Sequence, residues 1–165
     1  MRRLIWPVLF LLLLILQGAV SVIMTGWLRF DLLLTTVYGF ALFQGESKGA
    51  GAGFFVGLLQ DSMCVSVFGF HMLSRAAVGY FTGLTKNKVF QDSYFYHVLI
   101  IGGFSFCISS VSWVLALLQG GNIHSWSSYL LDTAGYCIGN MLLVIPMVSL
   151  CEKIVAWIRK EDISY

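Results

Sequence analysis

The chain has 165 residues, 58% of them hydrophobic and only 11% charged, with a formal net charge of +2. A soluble domain would carry about 25% charged residues, so the composition excludes a water-soluble globule and indicates one integral membrane domain spanning residues 1–165. So small a net charge gives no basic surface for nucleic acid, and four scattered cysteines (Cys64, Cys107, Cys137 and Cys151) suggest neither a zinc site nor a disulfide framework.

A helix that crosses a bilayer needs about 20 apolar residues. The predicted fold is all-α, with six transmembrane helices. Span one runs from Leu4 to Trp27 and span two, which is short, from Phe30 to Phe43. Span three begins near Gly49 and ends between Asp61 and Val67. Span four runs from Phe70 to Leu84, span five from Tyr94 to Leu118, and span six from Tyr129 to Cys151. Arg2 and Arg3 followed by an apolar run, with Ala19-Val20-Ser21 beyond, resemble a signal peptide. The run is longer than a typical signal core, so it reads as an uncleaved anchor.

Charge placement supports an even number of spans. With the N-terminus inside, Arg2, Arg3, Lys48, Lys86, Lys88, Lys153, Arg159 and Lys160 all fall on the cytoplasmic side. Arg29 alone falls outside, and Arg75 lies within a span. Both termini are therefore predicted to be cytoplasmic. Trp6, Trp27, Tyr94, Trp126, Tyr129 and Trp157 sit near span ends, where amphipathic rings favour the headgroup layer. All connections are short, and the tail from Glu161 to Tyr165 reads as disordered.

Helices in lipid associate through small residues and interhelical hydrogen bonds. Gly49, Gly53 and Gly57 line one face of span three, and Asp61 continues the series. Gly79 and Gly83 form a second pair on span four, with Arg75 one turn before them. Gly135 and Gly139 form a third on span six, with Asp132 on nearly the same face. Counted along helices from Lys48 and Lys86, Asp61 lies about 20 Å and Arg75 about 16 Å into the membrane. A lone charge at the bilayer centre costs about 2.5–3.5 kcal/mol. The matching depths therefore suggest an intramembrane Asp61–Arg75 ion pair. Two other roles for Asp61 stay open: a helix cap in the outer headgroup zone, and a step in a proton or ion relay.

His71 reads as a hydrogen-bonded interface histidine at the outer start of span four, with a ligand role as the alternative, and His97 and His124 as isolated. Ser105, Ser109 and Ser112 share one side of span five, where hydroxyls bond back to helix carbonyls by default. There is no H-E-x-x-H, G-x-S-x-G or P-loop pattern. No catalytic residue, cofactor site or metal site is expected.

The run GAGAGFFVGLLQDSMCVSVFGFHMLSRAAVGYFTGL (49–84) resembles the core of the MreD family of bacterial rod shape-determining membrane proteins. The matching positions are Gly53, Gly57, Asp61, Gly69, His71, Gly79 and Tyr80. The preceding FDLLLTTVYGFAL is similar to the family's second span, with Phe30 where a proline is usual. The resemblance implies a non-enzymatic scaffold of the bacterial cytoplasmic membrane that regulates cell shape and peptidoglycan synthesis. It implies partnership with the single-span MreC, and with MreB, RodA and a class B penicillin-binding transpeptidase in the elongation machinery. The family is also similar to the six-helix S components of energy-coupling-factor vitamin transporters. That alternative expects a ligand pocket under the outer loops and an Ala-x-x-x-Ala surface on span one. Span one has Ala19 alone, and the outer loops are poor in polar groups.

Overall fold

The computed structural model describes residues 5–23, 27–63, 69–86, 93–119 and 126–162, of which 21–23 and 161–162 are described by their backbone. The readings placed on Arg2, Arg3, Cys64, Lys88, His124 and the side chains of the tail lie outside them. The described residues form six helices: α1 (Ile5–Ile23), α2 (Leu32–Gln44), α3 (Glu46–Met63), α4 (Phe70–Gly83), α5 (Tyr94–Leu118) and α6 (Trp126–Asp162). Helix α5 keeps the predicted bounds. Helix α6 extends beyond them at both ends, and its 37 residues include Pro146. At 1.5 Å per residue it is about 55 Å long, well beyond an apolar layer of about 30 Å. Hydropathy reveals only its apolar middle; the last turns carry Glu152, Lys153, Arg159 and Lys160.

By length and composition, α5 and the α6 segment Trp126–Lys160 could each cross a membrane; Ile5–Val20 and Leu32–Gln44 are shorter apolar helices. The large outward side chains are apolar: Leu12 is 61% exposed, Ile15 71%, Phe95 72% and Leu118 78%. Such a surface suits a lipid surround, since patches of this kind on a soluble monomer would drive association.

Helix α2 forms the centre. Every residue from Leu32 to Leu42 is buried, and α1, α3, α4 and α6 all pack on it. An apolar helix with no polar face is one that other helices surround. One side of α2 joins Phe10, Leu13 and Val56 through Leu33, Val37 and Phe40. Its other side joins Val78, Ile101, Val144 and Val148 through Leu34, Tyr38 and Leu42. Trp6 meets Phe40 edge-on at 4.6 Å, so α1 begins beside the far end of α2. The turn into α3 is a single residue, Gly45, whose φ of 94° favours glycine.

Helices α3 and α4 are the most tightly joined pair. A Cβ at Gly53 would strike the carbonyl of Arg75, and one at Gly57 would strike His71 and Met72. Gly49 and Gly79 meet backbone to backbone, and Gly83 meets Glu46. All five of these glycines lie where α3 and α4 approach each other. Gly135 and Gly139 differ. They face the carbonyls of Trp27 and Arg29, so what lies against them is a non-helical strip of chain.

Candidate functional site

The polar side chains converge at the end of the bundle where α2 begins. Asp31 caps α2, its Oδ1 accepting from the Leu34 amide at 2.9 Å. An acidic cap satisfies an otherwise orphaned N–H and sits well at the positive end of the helix dipole. Arg75 Nη2 of α4 reaches both Asp31 oxygens at 2.9 Å. From α6, the Tyr136 hydroxyl donates to Asp31 Oδ2 at 3.0 Å. The Asp31 amide donates to Asn140 Oδ1 at 2.9 Å, and Asn140 Nδ2 donates to Ser105 Oγ of α5 at 2.9 Å. Arg75 is 1% exposed and Asp31 7%. The carboxylate thus ties α2 to α4 and α6, and the Asp31 amide extends the network to α5 through Asn140.

The same site holds the non-helical strip before α2. Gln17 of α1 donates to the Phe30 carbonyl at 2.8 Å and accepts from the Leu32 amide at 2.8 Å. Irregular backbone packed among helices needs protein partners for its polar groups. Gln17 and Asn140 supply those partners, and Gly135 and Gly139 leave room for the strip to lie against α6.

These contacts correct the expected Asp61–Arg75 pair. Asp61 Oδ2 accepts from the amides of Gly69 and Met72, each at 3.0 Å, and Oδ1 from that of His71 at 3.1 Å. It caps α4 from the last turn of α3, so the capping alternative describes it. The depth count failed because Lys86 lies in the turn after α4, which ends at Gly83. In the antiparallel pair Gly53, not Asp61, lies level with Arg75. Eight residues of helix, about 12 Å, separate the two levels. Asp61→Ala would strand three amides and is expected to lower stability by about 1–3 kcal/mol. Thermal unfolding in detergent checks this; a melting temperature equal to wild type would show that the cap contributes nothing.

Other residues also differ from expectation. Ser105 and Ser109 bond across to α6, Ser109 meeting Thr133 at 2.9 Å, while the neighbouring Ser110 is the hydroxyl that bonds back to its own helix. His97 is not isolated: its Nδ1 and the Tyr38 hydroxyl lie 2.9 Å apart in the buried core. Asp132 pairs with Arg29 at 3.2 Å on the exposed rim. The described cysteines, Cys107, Cys137 and Cys151, are free.

Beside the Asp31 cluster lies a cavity of about 630 Å³. Asp31, Gln60, His71, Asp132 and Tyr136 contribute to its wall. These polar groups come from helices and their ends and not from the outer loops, and only His71 and Asp132 among them stand out in the sequence. Gln17, Asp31, Tyr136 and Asn140 were missed as well. Two signals could have found them: an aspartate directly before the apolar run of α2, which marks a helix cap, and the four-residue spacing of Asp132, Tyr136 and Asn140 along one face of α6. Among the described residues no cluster of His, Cys, Asp or Glu is arranged to hold a metal.

The family described as rod shape-determining protein MreD matches residues 1–155 of the chain. Neither a curated protein nor a solved structure matches it.

Proposed function

Because the chain belongs to the MreD family of rod shape-determining membrane proteins, we propose that it is a non-enzymatic scaffold of the cell-elongation complex. It forms one six-span domain, similar to a transporter S component, in the bacterial cytoplasmic membrane with both termini inside. It binds the single-span MreC and works beside MreB, RodA and a class B penicillin-binding transpeptidase to regulate peptidoglycan synthesis. The family match over 1–155 carries this reading. The apolar outer faces of α1, α5 and α6 support it, since a spanning partner helix can pack there. The sidedness draws support from the shared end of the bundle at which the start of α1, the Gly45 turn and Lys86 gather.

Affinity purification from native membranes tests the scaffold. An MreC-type protein is expected as the main stoichiometric partner. Recovery of ATP-binding cassette subunits instead would favour the S-component reading, for which the polar cavity is the one supporting observation and the lone Ala19 an opposing one.

A further inference from the structure

The cavity beside Asp31 has no part in the scaffold role, yet its wall is built like a binding site. Its volume of about 630 Å³ lies within the range of about 300–1,000 Å³ usual for small-molecule sites. It opens beside the Arg29–Asp132 pair, whose side chains are 60% and 52% exposed.

Its charges are already matched. Asp31 is held by Arg75 and Asp132 by Arg29, so an ion entering the cavity would have to compete with a pair already made. What the wall leaves unused is neutral hydrogen-bonding capacity. Gln60 Oε1 is buried without a partner, and burying an amide oxygen unpaired is costly. The ring nitrogens of His71 and the hydroxyl of Ser112, both on the same wall, make no hydrogen bond among the described residues. Phe30, Phe70 and Tyr136 add flat apolar faces between these groups. Planar polar side chains interleaved with aromatic faces match a molecule whose ring presents hydroxyls at its edge and C–H groups on its face.

The geometry points to a binding site in this cavity for a neutral, hydroxyl- or amide-bearing solute of saccharide type, toward which the Gln60 side chain turns its closed-off Oε1 to accept a hydrogen bond. Access is from the end of the bundle where Arg29 and Asp132 lie. The inference does not depend on the scaffold reading, because partner recovery tests that reading alone.

The test is thermal unfolding of the purified full chain in detergent. The probes are a panel of neutral mono- and disaccharides, with and without N-acetyl groups, with inorganic phosphate and a zwitterionic amino acid as separate arms. At least one saccharide is expected to raise the melting temperature saturably by about 3 °C or more, with no shift from phosphate or the amino acid. Gln60→Leu removes the stranded oxygen at similar volume. It should keep or raise the unliganded melting temperature while weakening saccharide binding at least tenfold. Ser112→Trp, at an exposed position on the wall, should fill the space and abolish the shift. The inference is overturned if no saccharide shifts the transition, if phosphate or the amino acid shifts it equally, or if both variants respond like wild type.

Discussion

Arg75→Met is expected to destabilise the protein by about 3–5 kcal/mol, the cost of leaving one member of a buried ion pair uncompensated. Asp31 is the group left behind. With Arg75 gone, its carboxylate keeps the Leu34 amide and the Tyr136 hydroxyl, but no cation remains bonded to this 7% exposed group. Asp31→Leu should be comparably severe, since it strands the guanidinium and removes the cap of α2. The double variant Asp31→Leu/Arg75→Met should recover part of the loss, because replacing both charges with apolar groups avoids the desolvation penalty. A double-mutant cycle by denaturant unfolding in mixed micelles measures the coupling. The same cycle on Asp61 and Arg75 should give near-additive losses, because these residues belong to different contacts. Strong Asp61–Arg75 coupling with none between Asp31 and Arg75 would reverse the assignment.

The second large effect is expected at Gly53. Leucine there would drive its side chain into the carbonyl of Arg75 and the amide of Ala76. These are backbone atoms of a packed helix, so neither can move aside as a flexible side chain would. Relief requires separating α3 from α4, and that in turn pulls Arg75 away from Asp31. The expected loss is at least the 1–3 kcal/mol typical of an overpacked core, with the Asp31–Arg75 contact weakened besides. Gly51 provides the control. It lies on the same helix with open space around its Cβ position, so Gly51→Ala should be neutral or mildly stabilising through helix propensity. Protease resistance and melting temperature of the two variants, compared side by side, decide the matter. Equal behaviour would mean that the interface yields easily.

The helices were largely legible in the sequence because apolar runs, glycine spacing and short connections all mark local features. Helix α5 could be read directly, and so could the glycine faces of α3 and α4, but not whether those faces meet each other or a partner. The pairing of charges could not. Arg75 has carboxylates at Asp31 and Asp61 within reach of a plausible threading, and only three-dimensional register separates them. Counting residues from lysines fails where a helix stops short of the lysine, as α4 does at Gly83. Asp31 escaped notice because it marks the boundary of a short span, where one charge looks like a loop residue. The serines of α5 were assigned the commonest local bond. Asn140 and Thr133, which they meet in the structure, lie more than twenty positions away, beyond the reach of any local pattern.

The anchoring of the strip before α2 bears on how the protein is made. Asp31 receives its partners from Tyr136 and Asn140, more than a hundred residues downstream. As the ribosome delivers the early segments, α2 therefore emerges with its charged cap and irregular lead-in without two of their eventual partners. Until the last helix is synthesised, that stretch must rely on Gln17, Arg75, water or the insertion machinery. Maturation of the front half waits on the back, and a chain truncated before residue 136 should be handled by the cell as unfinished.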